Sequence, residues 1–73
     1  MRILTLNCNG LRSTVRKGFL AWVETQQADV ICLQETRIQD AQLTPEMRKL
    51  GGLESVFHHA ERPGYSGVSL HVR

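Results

Sequence analysis

Two short stretches of this 73-residue chain end on residues that could do chemistry. "ADVICLQETR" (Ala28–Arg37) opens with an apolar row, Val30 to Leu33, and turns polar at Gln34, Glu35 and Thr36. "ILTLNCNG" (Ile3–Gly10) opens apolar in the same way and ends on Asn7, Asn9 and Gly10. A carboxylate at one strand end beside an asparagine from a neighbouring strand offers hard oxygen donors. Magnesium takes such donors, with one or two carboxylates completed by waters and substrate phosphate. Glu35 and Asn7 are therefore the candidate metal pair and the candidate catalytic residues. Asn9 is a further contact to metal or water. Manganese is the alternative ion. On spacing alone, a surface glutamate with two turn-forming asparagines explains the same residues.

Arg12 follows the "NG" closely, and Lys17 comes a turn or so later; either could hold a nucleic-acid phosphate. Tyr65 falls in a Gly-flanked turn, where an exposed ring can press on a base or sugar. The three histidines do not suggest a metal site. His58 and His59 are adjacent and in a strand point to opposite faces, and His71 has no ligand at zinc-like spacing. They read as surface or strand-packing residues.

The elements that must position these groups follow from periodicity. Residues 2–7 and 29–34 read as strands, the second apolar on both faces like a covered parallel strand. Leu11, Val15, Phe19, Trp22 and Val23 recur at helical spacing between them, with Ser13 or Thr14 as a cap and Gly18 as a weak point. Strand, helix, strand makes a βαβ unit. Its two strands run the same way, so both polar endings arrive at one sheet edge, the edge where open α/β sheets bind ligands. Thr44, Pro45 and Gly51 or Gly52 punctuate a short helix. Glu54–His59 and Val68–Arg73 read as strands of a β-hairpin, joined by a turn at Arg62–Gly67 marked by Pro63, Gly64 and Gly67.

Bulk properties set limits. A chain this short supports one marginal core. Its apparent last strand stops at Arg73 with an edge that nothing covers. The expectation is an incomplete piece of a larger domain. Cys8 and Cys32 lack zinc spacing and disulfide density, which suits reduced thiols in the cytoplasm. No stretch approaches the ~20 apolar residues of a membrane span, and Asn7 and Asn9 interrupt any signal-peptide core. Net charge is only +2, but Arg2, Arg12, Arg16 and Lys17 all precede the first acid, Glu24, giving a local positive field that suits a phosphate-bearing partner.

Three stretches, "LNCNGLRS" (Leu6–Ser13), "ADVICLQETR" and "GYSGVSL" (Gly64–Leu70), together resemble the exonuclease III and apurinic/apyrimidinic endonuclease family of the endonuclease/exonuclease/phosphatase superfamily. The resemblance covers nearly the whole chain. It implies the N-terminal part of a four-layered α/β sandwich (DNase I-like), with residues 1–73 an incomplete N-terminal portion of a single domain that begins with a βαβ unit and continues to a β-hairpin. It implies a magnesium-dependent DNA repair enzyme that hydrolyses phosphodiester bonds 5′ to abasic sites and removes nucleotides from 3′ ends. By position, Glu35 is the metal-binding glutamate and Asn7 its neighbour. Arg12 and Lys17 touch the DNA backbone, and Gly64 and Tyr65 approach the minor groove. Asn9 replaces the aspartate of some relatives, which leaves a second metal position open. The family's later tyrosine, aspartate–asparagine and histidine motifs do not occur here, so the isolated chain is expected to be inactive. The expected partner of the full-length protein, a monomer, is double-stranded DNA with abasic sites or 3′ ends, in the cytoplasm of a bacterium and at the nucleoid when acting on DNA. The rival readings are a phosphatase of the same superfamily and a non-catalytic nucleic-acid-binding module.

Overall fold

The computed structural model describes every residue except Pro63. The proline mark of the Arg62–Gly67 turn therefore lies outside the described residues. Strand β1 (Ile3–Asn7) runs parallel to β2 (Val30–Gln34), with Leu4 opposite Ile31, Leu6 opposite Leu33 and Asn7 opposite Gln34. Strands β3 (Glu54–His58) and β4 (Val68–Val72) form the expected antiparallel hairpin. The sheet order is β1-β2-β4-β3. This corrects one expectation: the last strand is not an uncovered edge. It lies between β2 and β3 and uses both of its hydrogen-bonding sides.

The 11–27 helix is two helices, α1 (Leu11–Arg16) and α2 (Phe19–Gln26). Gly18 breaks it by adopting φ 95°, a left-handed conformation that residues with a Cβ avoid. The chain tightens there, with N–H groups of Lys17 and Gly18 donating to the carbonyls of Thr14 and Val15. The break rephases the apolar stripe. Phe19 and Val23 are buried, whereas Trp22 is 48% exposed and stacks on Phe19 at 5.9 Å. Neither Ser13 nor Thr14 caps α1; Gly10 holds the cap position, and the Thr14 hydroxyl donates instead to the Cys8 carbonyl at 2.7 Å. Thr44 does cap the short helix α3 (Pro45–Arg48), accepting from Met47 N, with Pro45 in the first turn. A proline fits there because that position has no intrahelical acceptor to satisfy.

One face of the sheet carries the core. Ile31 and Leu33 of β2 are buried with Leu11, Phe19, Val23, Ile38, Met47, Leu50 and Leu53, and Leu4 and Phe57 pack against this cluster. The arrangement is α/β: a single sheet with helices on this face. Alternation sends Ile3, Cys32, Val56 and Leu70 to the other face. There Ile3 is 60% and Val56 66% exposed. Strand β2, apolar on both faces, is thus covered on one face by the elements of this chain. Cys8 is buried and Cys32 half-buried, both as free thiols, and burial pushes the Cys8 thiol pKa up.

Candidate metal and phosphate site

The parallel register brings Asn7 and Glu35 to the same rim. Asn7 ends β1 opposite Gln34, so Glu35 is the first residue beyond the paired end of β2. The Asn7 amide (Nδ2) donates to Glu35 Oε2, and the Arg37 guanidinium donates to Oε1 at 3.1 Å. These two hydrogen bonds, Asn7 first, hold the Glu35 carboxyl below its ordinary pKa. Asn7 is fixed in turn, because its Oδ1 accepts from the Asn9 N–H at 3.1 Å.

Glu35 does not sit there by strand geometry alone. It has φ 53°, Arg37 has φ 50° and Asn9 has φ 46°. Non-glycine residues enter this left-handed region at a cost and persist there when the surroundings hold them. Here the loop is sewn down on both sides. Gly10 N–H donates to Glu35 O at 2.8 Å and Leu11 N–H to Thr36 O at 2.9 Å. From the opposite side, Thr36 N–H donates to Gly67 O at 3.1 Å and Arg37 N–H to Ser66 O at 2.7 Å. Thr36 is fully buried, and its hydroxyl has no hydrogen-bond partner among the described residues.

Two open concavities flank Glu35 and Arg37. A cleft of about 570 Å³ is lined by Glu35, Arg37, Gly64, Tyr65 and Ser66. A groove of about 340 Å³ is lined by Asn9, Gly10, Arg12, Ser13, Arg16, Arg37 and Gly64. The structure therefore brings Asn7, Glu35, Gly64 and Tyr65 to one rim, with Asn9 and Arg12 in the adjoining groove. Tyr65 is 55% exposed, and the Arg62 guanidinium lies over its ring, 4.5 Å from the centroid. Lys17 lies elsewhere, on a separate concavity with Thr14, Gly18, Phe19 and Trp22. Arg16 and Lys17 are adjacent at the end of α1 and so point to different sides, Arg16 to the groove and Lys17 to the other concavity.

Sequence reasoning passed over Arg16 and Arg37 as groove residues, and Thr36, Ser66 and Gly67 as the loop's anchors. Arg37 was legible as a charge two residues past Glu35. The anchors carry no spacing signal, because they act through backbone groups. Two of the three histidines have side-chain partners: His59 Nε2 pairs with Asp40 at 2.8 Å, and His71 is buried between Ser55 and Ser69. No cluster of three histidine, cysteine, aspartate or glutamate side chains occurs among the described residues. Glu35 is thus a single exposed carboxylate with a neutral amide beside it. That donor set suits a hard, partly hydrated cation that shares its remaining positions with water and a phosphate.

Comparison with known proteins places the chain in a known group. Residues 4–73 match the model of the endonuclease/exonuclease/phosphatase family, and the chain belongs to that family. Within it, the chain is similar to exodeoxyribonucleases and apurinic/apyrimidinic endonucleases. It is 41% identical to an exodeoxyribonuclease of Bacillus subtilis, over 96% of this chain and 27% of that protein. It is 34% identical to a DNA-(apurinic or apyrimidinic site) endonuclease of Dictyostelium discoideum, over 96% of this chain and 19% of that protein. Among solved structures, the APE2 catalytic domain of Xenopus laevis superposes with a TM-score of 0.80 at 35% identity, covering 100% of this chain and 23% of that one. The chain thus spans about a fifth to a quarter of the length of these relatives.

Proposed function

We propose that this chain supplies the Glu35 side of a divalent-metal site in a DNA repair nuclease of the exodeoxyribonuclease III type. Such an enzyme hydrolyses the backbone 5′ to abasic sites and removes nucleotides from 3′ ends. The observation that carries the reading is the convergence of Asn7 and Glu35 at the carboxyl ends of two parallel strands, beside a groove with three arginines. The ion is Mg²⁺, with Mn²⁺ able to replace it.

Glu35 would hold the metal, and Asn7 would orient its carboxylate through the Nδ2 hydrogen bond to Oε2. When bound, the metal supplies Lewis-acid polarisation of a non-bridging phosphate oxygen and stabilises negative charge on the departing 3′ oxygen. The residues of this chain do the rest of the positioning. Hydrogen bonds from Asn7 and Arg37 favour the ionised form of Glu35 and fix the direction of its carboxylate. Arg12 and Arg16 offer forked donors to strand phosphates, and backbone contacts of this kind set register without reading sequence. Tyr65, with Gly64, presents an aromatic face at the cleft mouth for a sugar or base. In-line attack also needs a base to activate water. The cleft among the described residues offers no carboxylate besides Glu35 and no histidine, so the isolated 73 residues have no nuclease activity. The protein works as a monomer in the bacterial cytoplasm and meets DNA at the nucleoid.

The test is a duplex with one abasic site. The full-length protein carrying this chain cleaves it 5′ to the lesion in Mg²⁺ and not in EDTA. Glu35→Gln lowers the rate at least ~100-fold, the scale on which loss of one charge-stabilising group is felt. The isolated chain gives no turnover. Metal-independent, salt-sensitive DNA binding without cleavage would favour a non-catalytic module instead.

A further inference from the structure

Arg37 stands between the two concavities. Its guanidinium donates to Glu35 Oε1 at 3.1 Å, and its side chain also lines the groove that holds Arg12 and Arg16. The backbone beneath it is fixed, with Arg37 N–H on the Ser66 carbonyl at 2.7 Å. The side chain is not: it is 44% exposed, and Glu35 is its one hydrogen-bond partner among the described residues. A long arginine on a pinned backbone can turn about its side-chain torsions without disturbing the loop.

The two Glu35 oxygens are both engaged, Oε2 by Asn7 and Oε1 by Arg37. The first partner is neutral and the second is a cation. A divalent ion coming to Glu35 would meet the guanidinium as a like charge beside the carboxylate. The groove on the other side has the opposite requirement. It already holds Arg12 and Arg16, so an anion bound there would offset the like charge that the Arg37 guanidinium adds.

We propose that Arg37 is a two-position guanidinium that couples metal occupancy to phosphate capture. It pairs with Glu35 in the metal-free site; with a divalent cation held by Glu35 it would turn into the Arg12–Arg16 groove and hold a phosphate of the DNA strand. The inference rests on the metal-nuclease reading above and adds to it an order of events. Coupling of this kind is reciprocal, so metal tightens DNA and DNA tightens metal by the same factor. Arg37 is a positioning residue in this scheme; it acts on the metal through Glu35.

The experiment uses the full-length protein, Mn²⁺ counted by its electron paramagnetic resonance signal, and a blunt DNA duplex titrated with Ca²⁺ or EDTA present. Arg37→Gln binds Mn²⁺ more tightly than wild type in the absence of DNA, by about threefold to fivefold, the scale of one exposed ion pair. The same substitution lowers the salt dependence of duplex binding by about one phosphate contact when Ca²⁺ is present. In EDTA it leaves that dependence unchanged. Unchanged or weaker Mn²⁺ binding by Arg37→Gln overturns the inference. So does an equal loss of salt dependence with and without Ca²⁺. Glu35→Gln separates this from the parent reading: if it abolishes Mn²⁺ binding, the metal site stands whatever Arg37 does. If it binds Mn²⁺ like wild type, both fall.

Discussion

The hydroxyl of Thr36 occupies the space that a side chain on residue 67 would need. A Cβ built on Gly67 comes within 2.6 Å of Thr36 Oγ1, and Gly67 has φ 92°. The buried loop of Thr36 and the last turn before β4 are therefore fitted to each other, and through them Glu35 is aimed at the rim.

Gly67→Ala should destabilise the fold by about 1–3 kcal/mol, from overpacking and a left-handed backbone with a Cβ. Because Gly67 O accepts from Thr36 N–H, the displaced loop also loosens Glu35. Urea unfolding and Mn²⁺ affinity should fall together. A variant that loses stability with Mn²⁺ binding intact would show that the loop and the metal pair are independent.

His71 predicts an acid-sensitive fold. It is fully buried, with Nδ1 2.7 Å from Ser55 Oγ and Nε2 2.8 Å from Ser69 Oγ, and Phe57 meets its ring edge-on. Among the described residues no carboxylate pairs with it, and burial pushes its pKa down to about 4 from the ordinary 6.5. The neutral form is the one the fold accepts. The unfolded chain takes up a proton below about pH 6.5, while the folded chain resists until about pH 4. Stability is thus full above pH 6.5 and falls as pH drops through this window, by roughly 3 kcal/mol in all. Urea midpoints between pH 7 and pH 4 check this. His71→Leu should flatten that slope even though it costs stability by leaving two serines without their partner.

Asn7→Ala removes the amide that orients Glu35 and lowers its pKa. The Glu35 pKa should rise, seen by NMR titration of its side-chain carbon. Metal affinity should fall about 10- to 100-fold, as when an outer partner of a metal ligand is lost. Asn7→Ser, which keeps a short polar group, should recover part of both. An unmoved Glu35 titration would remove Asn7 from the site.

The two neighbouring basic residues at the end of α1 should separate. Arg16 lines the groove with Arg12, whereas Lys17 lines the concavity beside Trp22. Arg16→Gln and Arg12→Gln should each lower the salt dependence of duplex binding by about one phosphate contact. Lys17→Gln should change it less. Equal losses at Arg16 and Lys17 would mean that DNA reaches both faces.

Sequence by itself determined the strands and the parallel βα crossover, and with them the shared edge of Asn7 and Glu35. Apolar rows, period and turn residues are local signals, and two parallel strands with polar C-terminal ends have to deliver those ends to the same side. The short capped helix at Thr44–Pro45 and the terminal hairpin were legible for the same reason. Only the tertiary structure decided the rest. The insertion of β4 between β2 and β3 depends on hydrogen bonds between segments far apart in the chain, which no local pattern records. Which of Arg16 and Lys17 meets the groove depends on how α1 packs against the loop at Glu35–Arg37. The grip on Glu35 comes from backbone groups of Gly10, Leu11, Ser66 and Gly67, and every residue type but proline carries those same groups, so their pairing is written in the packing and not in the letters.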